Sequence, residues 1–117
     1  MEENRIDEFG EEKEGSRLEF AGKQYSLRFN IRRLQQIEQT TKTSTAATLT
    51  LNMGMLGIQE LIIYFAFGLA DQDGEYIKPS KGMNYAEEMI QKDGYAAVNM
   101  MVVEALQKDC GFLFQSA

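Results

Sequence analysis

Residues 61–74 read LIIYFAFGLADQDG, and from Leu61 to Ala70 the stretch contains no charged or amide side chain. Apolar residues fall at helical spacing on both sides. Ile58, Leu61, Ile62, Phe65 and Leu69 share one face, while Ile63, Tyr64, Ala66 and Phe67 fill the other. The pattern predicts a helix starting at Gly57 and ending in the turn chemistry of Asp71-Gln72-Asp73-Gly74. A helix that is apolar all round has to be covered all round, either at the centre of its own domain or by another chain. It is about half as long as the roughly twenty residues a bilayer crossing needs, so no membrane span is expected.

Upstream of this helix, SRLEFAGKQYSLRF predicts a β-hairpin. Leu18, Phe20, Tyr25, Leu27 and Phe29 alternate with polar residues, and Ala21-Gly22-Lys23 supplies a short connection. Asn30 is placed to cap a helix through residues 31–40 whose stripe of Ile31, Leu34 and Ile37 is expected to dock on the hairpin. Residues 41–55, TKTSTAATLTLNMGM, fit both a strand, through Leu49, Leu51, Met53 and Met55, and a short helix. They are read as an irregular link with one helical turn.

Downstream, Pro79 is expected to keep residues 75–83 out of helix, with Asn84 capping a short helix that Gly94 stops. A longer helix follows from Tyr95 to about Lys108, with only Asn99, Glu104 and Gln107 clearly polar, and then CGFLFQSA. The sum is an α+β fold, mostly α, with an N-terminal β-hairpin packed on a small bundle of about four helices. Residues 16–117 form a single globular domain, behind an acidic disordered leader at residues 1–15.

Charge is unevenly spread. The leader carries seven carboxylates against Arg5 and Lys13, a net of −5, whereas residues 17–42 carry six basic groups against Glu19 and Glu38, a net of +4. A solvated face beside a solubilising tail accounts for this, and so does a tail that shields a basic partner-binding face. Nucleic acid is not the expected partner, because the +4 segment has no recognition motif and the pI is near 4.7. The acidic N-terminus does not read as an export signal, and the lone Cys110 allows no intrachain disulfide, so the expected compartment is the cytoplasm.

The chain has no His, which removes the commonest general base and metal ligand. Cys110 lacks an activating partner and reads as a small structural residue near a helix end. DQDGE resembles the start of a calcium loop but places Tyr76 and Gly82 where that loop needs Gly and Glu, and Gly22-Lys23 lacks the neighbours of a phosphate loop. No catalysis, metal or cofactor is expected.

Three segments carry a family resemblance. LEFAGKQYSLRFNIRRLQQIEQTTKTS resembles the opening of tail assembly chaperones of long-tailed bacteriophages: a hairpin with a central Gly, a helix ending near a Glu, then a Thr/Ser-rich break. GIQELIIYFAFGLADQDGEYIKPS is similar to that family's second helix, and NYAEEMIQKDGYAAVNMMVVEALQKD to its closing pair. The resemblance covers residues 16–109. It departs at Thr41-Lys42, where many members carry a Gly after the first helix. It implies a non-enzymatic protein of a phage or prophage, acting in the bacterial host cytoplasm. Such a protein coats the long apolar tape measure protein before tail tube subunits polymerise, and a frameshifted longer form recruits the tube protein. This chain would be the short form.

A chaperone for such a client needs adaptable apolar side chains on a soluble body, and the closing helix and C-terminus offer Met100, Met101, Phe112 and Phe114. Self-association into a homo-oligomer through the same material is expected as well. Arg28, Arg32 and Arg33 of the basic segment are further candidate contact residues. They carry the alternative reading, a small acidic regulatory or adaptor protein that binds its partner through residues 17–42.

Overall fold

The computed structural model describes residues 17–114; the acidic leader expected at residues 1–15 lies outside the described residues. Strands β1 (Arg17–Phe20) and β2 (Lys23–Leu27) form the hairpin, joined by Ala21 and Gly22. Both loop residues have positive φ, 52° and 77°, the mirror-image turn whose twist matches that of the flanking strands. Leu18, Phe20, Tyr25 and Leu27 are buried on one face. Phe29 is also buried, but lies beyond the strand.

Helix α1 (Ile31–Thr41) starts where Asn30 Oδ1 accepts the Arg33 N–H at 2.7 Å. It ends at Lys42 in the left-handed conformation, φ 65°, a position glycine usually occupies. Leu34 and Ile37 are buried, whereas Ile31 is exposed, so the expected stripe is one residue too long. Its main neighbour is the central helix and not the hairpin.

Residues expected to be irregular form a second helix, α2 (Thr45–Leu51), capped by Ser44 Oγ accepting the Ala47 N–H at 3.1 Å. Tertiary contacts decide the ambiguity. Glu38 accepts the Thr45 N–H at 2.7 Å, and the Thr45 hydroxyl meets Tyr64 Oη at 2.8 Å in a fully buried position.

Helix α3 (Ile58–Gly68) is the apolar helix of the opening stretch, started by Glu60 reaching back to the Gly57 N–H. Leu61, Tyr64, Phe65 and Ala66 are fully buried. Each large side chain among them contributes roughly 1.5–3 kcal/mol from burial. The helix ends earlier than the sequence pattern predicts. Leu69–Asp71 forms β3, antiparallel to β2 with Leu27 opposite Leu69, giving a three-stranded sheet in the order β1-β2-β3. A run apolar on every side suits a buried strand as well as a buried helix, and pairing with β2 selects the strand.

Helix α4 (Pro79–Asp93) also corrects an expectation. Pro79 is its first residue, where the missing N–H costs nothing and the fixed φ favours helix, and Asn84 lies inside it. Gly94, φ 95°, separates it from α5 (Tyr95–Asp109), after which a 3-10 turn covers Gly111–Phe114. Sheet and helices join through aromatic rings. Phe20 stacks on Tyr85 of α4 at 4.3 Å between centroids and meets Phe65 of α3 edge-on at 6.3 Å. The hairpin is thus packed on α3 and α4, in a mostly helical α+β fold. No helix among the described residues is long and apolar enough to cross a membrane.

Candidate partner-binding surface

The α2 helix runs out into a loop with an unusual backbone. Gly54 N–H reaches back to the Leu49 carbonyl at 2.8 Å, with Met53 and Gly54 both at positive φ, 54° and 82°. The loop is then fastened to α5. Asn99 Oδ1 accepts the Leu56 N–H at 3.0 Å, Asn99 Nδ2 donates to the Gly54 carbonyl at 2.8 Å, and Tyr95 Oη donates to the Leu56 carbonyl. Asn99, expected on the polar side of its helix, is 5% exposed and serves the loop with both ends of its amide.

This fastening turns apolar side chains outward. Leu51 is 79% and Met53 88% exposed, and Met55 and Ile58 are exposed beside them. Between the loop and α5 runs an open groove of about 420 Å³, with Leu49 and Met53 on one side and Val103, Gln107, Leu113 and Phe114 on the other. Met100, one helical turn before Val103 on α5, is exposed.

The residues expected to bind a partner therefore divide. Phe114 lines the groove, Met100 is exposed on α5 and Phe112 is exposed in the same 3-10 turn as Phe114. Met101 instead is partly buried and packs on the core. Leu51 and Met53 are contact candidates that only the structure brings forward. Their one signal in the sequence is the alternation of Leu49, Leu51, Met53 and Met55 in a segment that fits two structures.

Two arginines of the basic segment, Arg28 and Arg33, make side-chain contacts within the domain, whereas Arg17, Lys23, Arg32 and Lys42 are exposed. Arg28 Nε donates to Asp109 Oδ2 at 3.0 Å, and the same carboxylate accepts the Phe29 N–H at 2.9 Å. That carboxylate, 8% exposed, raises the Arg28 pKa through hydrogen bonding and charge. Arg33 lies 4.1 Å over the Tyr76 ring and donates to the Phe67 carbonyl, and burial lowers its pKa. The Tyr76 hydroxyl donates to the Arg28 carbonyl at 3.0 Å. Arg28 and Arg33 thus help to close the fold, while the Arg28 side chain stays 60% exposed.

Two other chemical candidates are structural. The Cys110 thiol is fully buried and pushed up in pKa by that burial and by neighbouring Asp109, the reverse of what a nucleophile needs. In the DQDGE turn, Asp71 Oδ1 accepts the N–H groups of Asp73 and Glu75 at 2.9 and 3.0 Å, an Asx turn closed on itself. Comparison of the chain with protein-family models, with curated proteins and with solved structures finds no match.

Proposed function

We propose that the protein is a non-catalytic binding protein whose groove between the 52–57 loop and α5 receives an apolar helical segment of a client. Following the family resemblance of residues 16–109, that client is a phage tape measure protein and the protein is its tail assembly chaperone. Recruitment of tail tube subunits and work in the bacterial host cytoplasm belong to the same reading. The observation that carries it is one open groove lined by Leu49, Met53, Val103, Leu113 and Phe114, with Met55 and Met100 exposed on the same loop and helix. Thioethers and a ring edge adapt to many apolar faces, which suits a client that presents a long series of non-identical helical segments.

The test is co-purification of the full chain with a helical tape measure fragment, alongside Met53→Ser and Phe114→Ser variants. Binding should survive molar salt, and each variant should weaken it by about fivefold or more while its melting temperature stays within a few degrees of the parent. Wild-type protein that ignores the fragment overturns the reading. So does binding that disappears in salt, which favours a charged contact through residues 17–42, or binding that both variants leave unchanged.

A further inference from the structure

The hairpin leaves one side of the sheet with a defined hydrogen-bonding edge. Arg28 N–H donates to the Gly68 carbonyl at 2.8 Å, on the β3 side, which fixes the alternation along β2. Even-numbered residues of β2 turn their backbone groups toward β3, and Lys23 and Tyr25 turn theirs toward β1. Their partners are Phe20 and Leu18. The N–H and C=O groups of Arg17 and Glu19 therefore point away from β2, and among the described residues β1 pairs with β2 alone.

The side chains along that edge are self-complementary. Arg17 and Glu19 are both exposed, two residues apart on one face, with Leu18 and Phe20 buried on the other. Let a second β1 run antiparallel about a two-fold axis through Leu18. Arg17 of each strand then lies opposite Glu19 of the other, and both are residues whose backbone groups face outward. The arrangement makes two hydrogen-bonded pairs with an Arg–Glu contact on each, and sets Leu18 beside its own copy at the non-hydrogen-bonded position. Register and charge agree on one centre.

We infer that two copies of this chain associate through β1, about a two-fold axis at Leu18, to form a continuous six-stranded antiparallel sheet. The flank of the edge fits such an occupant. A groove of about 210 Å³ beside β1 is walled on the α4 side by Glu88, Lys92 and Asp93. Mixed charge on that wall suits a strand that carries both Arg and Glu over an apolar peptide. The contact is isologous, as a two-fold requires. Four residues of ladder bury little surface, so the association is reversible and concentration-dependent. It does not rest on the client groove, which is lined by other residues.

Sedimentation equilibrium of the full chain, with no client present, tests the inference. The wild-type chain should show a reversible monomer–dimer equilibrium. Arg17→Glu and Glu19→Arg should each weaken it about tenfold or more, because like charges then oppose each other at both pairs. An equimolar mixture of the two variants should regain wild-type affinity, since each chain then meets its opposite. Glu19→Pro removes an outward N–H and no bond to β2, so it should abolish dimers while the melting temperature changes by only a few degrees. A wild-type chain that stays monomeric overturns the inference, as do charge variants that associate normally or a mixture that fails to recover. If Glu19→Pro does not fold, the charge-swap mixture alone decides. Dimerisation can fail while the groove still binds its client, and the converse also holds, so the two readings are separable.

Discussion

Asn99 occupies a buried position that an apolar residue would fill more cheaply, and its amide is held there by what it joins. Replacing it by Ala strands the Leu56 N–H and the Gly54 carbonyl, each costing about 1–3 kcal/mol when unpaired. Asn99→Ala should therefore lower the melting temperature by about 10 °C or more, and amide exchange should locate the loss first in the 52–57 loop. Cys110 acts at the same scale through a proton. Burial raises its thiol pKa above the unfolded value, so the folded state holds the proton more tightly. Stability from this source is full below the unfolded pKa, about 8.5, and falls as pH rises above it. Tyr64 and Tyr76, also raised mainly by burial, continue the fall at higher pH. Denaturant titrations at a series of pH values should show the decline beginning near pH ~8.5, and Cys110→Ala should delay it toward the tyrosine range.

Helices α3 and α4 pack closely against each other, and glycine makes this possible. A Cβ on Gly82 would lie 2.8 Å from both the Cα and the carbonyl oxygen of Ala66. Those are backbone atoms of a buried helix, and they cannot yield without moving α3 against the sheet. Gly82→Ala gains helix propensity of up to about 1 kcal/mol but forces the two helices apart. The net effect should be destabilising by about 1–3 kcal/mol, read from denaturant midpoints. The sequence pattern places Gly82 in a connection outside helix, whereas the structure places it in the first turn of α4. The packing makes this glycine a requirement.

Across the whole molecule, the Asp109 carboxylate ties the end of the hairpin to the end of α5, elements 80 residues apart in the chain. Its two contacts are unequal in worth. Arg28 is 60% exposed, so its ion pair contributes less than about 1 kcal/mol. The bond from the Phe29 N–H is part-buried, and an unpaired amide there costs about 1–3 kcal/mol. Asp109→Ala should therefore destabilise clearly more than Arg28→Ala, and high salt should shrink the arginine effect while leaving most of the aspartate effect. Equal costs for the two variants would place the energy in the ion pair instead.

The hairpin, the Asn30 cap, the Gly94 break and the extent of α5 were legible in the sequence because each rests on local chemistry: alternation, a capping side chain, a residue tolerant of positive φ. The all-apolar helix was legible as one that must be covered, and its own domain covers it. Folding alone decided the rest. Leu69–Asp71 leaves the helix because β2 offers it a ladder, and no pattern within residues 61–74 contains that partner. Thr45–Leu51 is helical because Glu38 and Tyr64 hold its first residue. Of the candidate contact residues, Phe112, Phe114 and Met100 were readable as apolar without an evident place in the core, whereas Met101 differs from Met100 only by the turn of about 100° that points it inward. Which arginines are free, and that Met53 faces solvent, depend on Asp109, Phe67, Tyr76 and Asn99. Those groups are distant in the chain and adjacent only in space, which is why composition and spacing identified the kinds of side chain involved but tertiary structure set which of them are exposed and which are engaged within the domain.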